Sequence, residues 1–145
     1  MRLEKQFDVK RSRSEVVAAV ANDDTLLGLF PDQETEIVAS EGNRRTTRTR
    51  YRALGRDGEA TFHFRFEPDG SVRFEKVCDG RIWRRLEGSM TFETRGQGTR
   101  VRLELEGTTK SLVPEFTVRG QMQDQLEEMS GALRKRIAAT AGKPA

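Results

Sequence analysis

Few side chains in this sequence have the types and spacing for chemistry. Tyr51, Lys76 and Arg84 could act as acid, base or electrostatic stabiliser on a bound molecule. His63 and Cys78 are the remaining candidates for nucleophilic or metal work. Each is the only residue of its kind in the chain. That excludes an internal disulfide, a two-histidine iron site and most histidine-based zinc sites. No carboxylate–histidine–nucleophile trio can be read from spacing. The sequence therefore assigns no catalytic residue, no metal and no cofactor.

What positions these residues is an alternation of apolar and polar positions that runs from about Asp32 to Gly107. Ile37 and Ala39 fall on one face with Thr47, Thr49, Tyr51 and Ala53. Phe62, Phe64 and Phe66 follow on it, then Val72 and Phe74, Leu86, Met90 and Phe92, and Val101, Leu103 and Leu105. Five turn signals separate the runs: 41–43, Asp57-Gly58, Pro68-Asp69-Gly70, Cys78-Asp79-Gly80 and Gly96-Gln97-Gly98. Tight hairpins at these points pair Tyr51 with Phe64, Phe64 with Phe74, and Phe74 with Arg84. Each loop length keeps the apolar face in phase, since a one-residue slip would turn a strand over. The result is six antiparallel strands sharing one greasy side.

Before them, Leu3, Lys5, Phe7 and Val9 alternate as a first strand. Ser12 and Glu15 form a capping box ahead of a short helix over about 14–21. A second helical turn, TLLGLF, stops at Pro31. After the hairpins, Ser111 and Pro114 open a long helix. Val118, Met122, Leu126, Met129, Leu133 and Ile137 recur on it at spacings of three and four, one continuous stripe. Gly120 and Gly131 interrupt that helix, either to let it approach the sheet or to leave room for a ligand.

The order is strand, two short helices, six strands, long helix. It resembles the helix-grip fold of the START and Bet v 1-like superfamily, also called SRPBCC, with the polyketide cyclase/dehydrase-like branch nearest. The resemblance spans nearly the whole chain. It rests on element order, on the stretch SRSEVVAAVAND and on the helix VPEFTVRGQMQDQLEEMSGALRKRI. It implies an α+β fold in which a seven-stranded curved antiparallel sheet wraps the C-terminal helix. It also implies a hydrophobic ligand held between the two. No catalytic motif of the family maps onto this chain.

The expected cavity is lined by Tyr51, Phe62, Phe64, Phe74, Lys76, Arg84, Met90, Met122 and Leu126. For the aromatic residues, core packing and cavity wall are both open readings. Lys76 and Arg84 break the apolar face. They either leave at the sheet end, pair with a carboxylate such as Glu115 or Asp124, or anchor an acidic ligand. The helix pair near 14–30 is the natural lid, with Gly28 and Pro31 as its hinge.

On the other face the same hairpins align Arg50, Arg65, Arg73 and Arg85, with Trp83 in the next row. Glu67, Glu75 and Glu87 can pair diagonally with these arginines. His63 points outward.

The 145 residues make one domain, 1–145, with a frayed tail at 142–145. The charged fraction is 34 %, above the usual ~25 %, and the net charge is only +3. A nucleic-acid partner is not expected from so small an excess. No apolar stretch approaches a membrane span, the start lacks a hydrophobic signal core, and a cytoplasmic location is expected. The functional expectation is binding, or transport, of a small hydrophobic or amphipathic molecule. The alternatives are a polyketide cyclase/dehydratase-like enzyme and an interaction module of Hsp90-activator type. The latter would take an acidic partner on the arginine-rich outer sheet.

Overall fold

The computed structural model describes residues 1–31, 33–53 and 56–140; the tail expected at 142–145 lies outside them. The chain runs β1 (Arg2–Val9), α1 (Arg13–Ala21), α2 (Asp23–Leu27), β2 (Glu34–Glu41), β3 (Arg44–Ala53), β4 (Arg56–Phe66), β5 (Val72–Lys76), β6 (Trp83–Arg95), β7 (Gly98–Thr109) and α3 (Phe116–Thr140). Seven antiparallel strands form one sheet in the order β1-β7-β6-β5-β4-β3-β2. The element order and the fold class are those the sequence predicts.

The capping box at α1 is present. The Glu15 backbone N–H donates to Ser12 Oγ at 3.3 Å, and Ser12 Oγ donates to Glu15 Oε1 at 3.0 Å. Arg13, in the first turn, donates from Nε to the Phe92 carbonyl at 2.9 Å and from Nη2 to the Asp69 carbonyl. These bonds pin α1 to the turn end of the sheet. Val16, Ala19 and Val20 of α1 are buried, as are Leu26 of α2 and the following Leu29 and Phe30.

The whole α3 stripe is buried: Val118, Met122, Leu126, Met129, Leu133 and Ile137. The helix lies against β1, β7 and α1. Lys5 of β1 reaches Glu127 at 2.8 Å, and the Arg134 guanidinium sits 5.7 Å above the Phe7 ring. A Cβ built at Gly120 or Gly131 meets nothing within 4 Å, and both residues are exposed. Neither glycine serves a close approach to the sheet.

Two hairpins differ in register from the sequence reading, and both slips are even. Tyr51 pairs with Gly58 rather than Phe64, and Phe64 pairs with Arg45. Asp57 and Gly58 are therefore strand residues, and Ala53 pairs with Arg56. The reason is steric. The Tyr51 ring lies over Gly58, where a Cβ would stand 2.6 Å from Tyr51 Cζ. Glycine here seats a ring instead of making a turn. Likewise Phe74 pairs with Gly88 rather than Arg84, and Val72 with Met90 rather than Leu86. Gly80 has φ 79°, so the left-handed turn residue is present, but the connection between β5 and β6 is longer than a tight hairpin. An even slip keeps every side chain on its intended face. The Phe64–Phe74 and Phe66–Val72 pairs are as expected, and the last hairpin joins Met90 to Leu103 and Phe92 to Val101.

Two β-bulges do change faces. Ile37 pairs with Thr47, but Ala39 pairs with Thr46, so Val38 is the extra residue and Ala39 is exposed rather than inward. Between Trp83 and Arg85 a second bulge inserts Arg84. It turns Trp83 inward, against the core and above Gly107, whereas alternation alone puts Trp83 outside.

Space at glycines separates two kinds of substitution. A Cβ at Gly88 would meet Phe74 Cζ at 2.4 Å and the Glu104 carbonyl oxygen at 2.6 Å. Gly88→Ala is expected to cost roughly 2–3 kcal/mol by overpacking. Gly120→Ala and Gly131→Ala are expected to add roughly 0.5–1 kcal/mol each through helix propensity. Urea unfolding of the three variants checks both signs.

Candidate functional site

The inner face is an aromatic cluster roofed by α2 and α3. Phe62, Phe64 and Phe74 are buried, with ring centroids 6.2 Å apart for Phe62–Phe64, 5.5 Å for Phe64–Phe74 and 6.5 Å for Phe62–Phe74. Phe30, just after α2, stacks on Phe62 at 5.3 Å. Met90 of β6 and Met122 and Leu126 of α3 belong to the same buried cluster. Six of the nine residues expected to line a cavity thus come together in one apolar interior.

The other three lie toward one end of the sheet. Tyr51 is half-buried and packs against the cluster across Gly58. Lys76 is half-buried at the end of β5, directly opposite Phe62. Cys78 and Trp83 are also half-buried there. Of the three readings for Arg84, the structure shows it leaving at the sheet end. Its bulge leaves it exposed, and its Nη2 donates to Ser111 Oγ at 3.2 Å. It does not pair with Glu115, whose carboxylate lies 3.4 Å from the Met1 amine. Tyr51, Lys76 and Arg84 accordingly form no hydrogen-bonded set.

The sequence reading passed over one polar group in this interior. Thr47 is 1 % exposed, and its Oγ1 has no hydrogen-bond partner among the described residues. Its strand partners are Ile37 and Phe62, so it stands on the aromatic side. The next inward residue, Thr49, is satisfied by Thr35 at 2.9 Å. Ser130 of α3 is similarly buried without a partner. A buried hydroxyl left unbonded is destabilising, and such groups are uncommon in folded proteins. The signal was available in the sequence: Thr47 is a polar residue at an inward position of a largely apolar face.

The outer face carries a separate open depression of about 670 Å³. Its arginine row is Arg44, Arg65 and Arg73 rather than Arg50, Arg65, Arg73 and Arg85. The register slips move Arg50 opposite Glu34 and Glu59, and Arg85 opposite Thr108. Glu67 binds Arg65 at 2.7 Å and approaches Arg73 at 3.8 Å, and Glu87 binds Arg85 at 2.9 Å. His63 is exposed on this face, with Nδ1 2.9 Å from Thr46 Oγ1. Among the described residues no group of histidine, cysteine, aspartate and glutamate is arranged to hold a metal ion. No helix of the described residues is long and apolar enough to cross a membrane.

No protein-family model and no curated protein sequence matches this chain. Solved structures do. A protein of Thermus thermophilus superposes with a TM-score of 0.77 at 22 % identity, over 96 % of this chain and 98 % of that one. The Zhui aromatase/cyclase of Streptomyces sp. R1128 gives 0.74 at 14 % identity, over 96 % and 92 %. A STAR-related lipid transfer protein of Xanthomonas axonopodis gives 0.66 at 15 % identity, over 94 % and 85 %. The chain has the START/Bet v 1-like helix-grip fold. In this helix-grip protein Phe30 and the α3 stripe close over a core that holds Thr47 as an unpartnered hydroxyl on the aromatic face of the sheet.

Replacing Thr47 by its isostere removes the unbonded oxygen without opening a void. Thr47→Val is expected to raise unfolding free energy by about 1 kcal/mol. A fall in the urea midpoint would show that the hydroxyl is already satisfied.

Proposed function

We propose that this helix-grip chain binds a small amphipathic molecule between its sheet and α3. The observation that carries the reading is the Thr47 hydroxyl, buried and unpartnered within an aromatic cluster. A ligand oxygen or N–H would complete that hydroxyl, while Phe62, Phe64, Phe74, Met90, Met122 and Leu126 would cover the ligand's apolar body. Tyr51 and Lys76, half-buried at the end of the sheet, would meet its polar end. The interior is closed by Phe30 on Phe62, so entry requires α2 and Phe30 to lift, with Gly28 and Pro31 as the hinge. The lipid-transfer and aromatase/cyclase proteins of the same fold both handle apolar or cyclisable molecules in name, and they support the class of ligand rather than its identity.

Titration with the fluorescent fatty acid cis-parinaric acid tests the reading. The native protein is expected to give a saturable, one-to-one fluorescence increase. Leu126→Trp fills the interior and is expected to abolish it. Thr47→Val is expected to weaken it about tenfold, the worth of one hydrogen bond. No saturable signal from folded protein would remove the proposal.

A further inference from the structure

Six large apolar residues among those described are exposed, and four of them lie at one end of the sheet. Val77 and Ile82 are on the loop between β5 and β6. Leu112 and Phe116 are on the loop between β7 and α3 and at the start of that helix. The two loops are joined by a hydrogen bond from the Lys110 N–H to the Ile82 carbonyl at 2.8 Å, and by Arg84 to Ser111. Because β7, β6 and β5 are successive strands about 5 Å apart, the four side chains share one tip.

Leu112 is the decisive residue. It is fully exposed, at 101 % of its reference area. It also occupies the third position of a β-turn closed by the Val113 N–H to the Lys110 carbonyl at 3.0 Å, with φ 74°. It is the one non-glycine residue with positive φ among those described. Glycine or asparagine suits that position, and a leucine there carries backbone strain. Nothing in the fold repays the strain, since the side chain touches only solvent. Phe116, four residues on and the first of α3, is 80 % exposed.

Charge identifies the partner. The two carboxylates on these loops are occupied internally: Asp79 by Arg81 at 3.4 Å and Glu115 by the Met1 amine at 3.4 Å. Arg84, Lys110 and Arg119 have no carboxylate partner among the described residues. Apolar points ringed by unpaired cations suit a negatively charged lipid surface. They can enter a soft acyl layer without the matching pockets that a folded protein partner would have to supply.

We infer that this tip docks on anionic lipid surfaces, with Leu112 and Phe116 entering the acyl boundary and Arg84, Lys110 and Arg119 facing the headgroups. Docking does not depend on the interior taking a ligand.

Co-sedimentation of the intact chain with vesicles tests it. The protein is expected to pellet with vesicles of phosphatidylcholine plus phosphatidylglycerol, not with phosphatidylcholine alone, and to be released by salt. Leu112→Gly and Phe116→Ser are each expected to lower vesicle affinity about tenfold. The double variant Arg84→Glu with Lys110→Glu is expected to do the same. Leu112→Gly relieves the positive φ, so its melting temperature should not fall, and its parinaric acid titration should match the parent's. The inference is overturned if the parent stays in solution with anionic vesicles at low salt. Equal pelleting with neutral vesicles, or undiminished binding by Leu112→Gly, also overturns it. Retention on an acidic protein without vesicle binding would overturn it and move the tip to a protein partner.

Discussion

The molecule depends on keeping one side of a single sheet dry. Phe62, Phe64 and Phe74 lie within 6.5 Å of one another, centroid to centroid, and cannot all be covered by neighbouring strands. A sheet has two faces, and the aromatic one needs a second layer. Phe30, just after α2, lies directly on Phe62, and α1 and the α3 stripe complete the same buried core. The placement of every other group follows from this. Charged residues gather on the opposite face, and half-buried polar residues collect where the cover stops.

The same constraint explains how much was legible in the sequence. Alternation reports which face a side chain takes, and burial enforces it, so the inner set from Phe62 to Leu105 could be read without coordinates. Alternation does not report which residue lies opposite which. Both misread hairpins slid by an even number of residues, six along β4 and four along β6, and neither slip exposes an apolar side chain. Glycine was the misleading signal. Gly58 and Gly88 sit in strands because the Tyr51 and Phe74 rings need the space, whereas Gly42, Gly70, Gly80 and Gly96 have the positive φ of turn residues. A one-dimensional reading cannot tell a seat from a bend.

The bulges were invisible for a different reason. Val38 and Arg84 each add one residue to a strand, which reverses face for whatever lies beyond. No residue type marks them. The Arg84 bulge accounts for one polar-for-apolar exchange in the candidate site: Arg84 leaves the inner face and Trp83 enters it. Thr47 could have been found by a stricter rule. Any hydroxyl at an inward position needs a partner, and the sequence offers Thr35 to Thr49 but shows none for Thr47.

The Val38 bulge has a further effect. β2 is the last strand on its side, so its free N–H and C=O groups are open to another chain. A flat strand reading Glu34–Glu41 would be a template for intermolecular pairing. The extra residue at Val38 twists it out of line, and Glu34, Glu36 and Glu41 flank the kink with charged side chains, opposite Arg50, Arg48 and Arg44. An irregularity that spoils the sheet's register thereby protects its rim from self-association. Deleting Val38 to regularise the strand would trade a local defect for a sticky border.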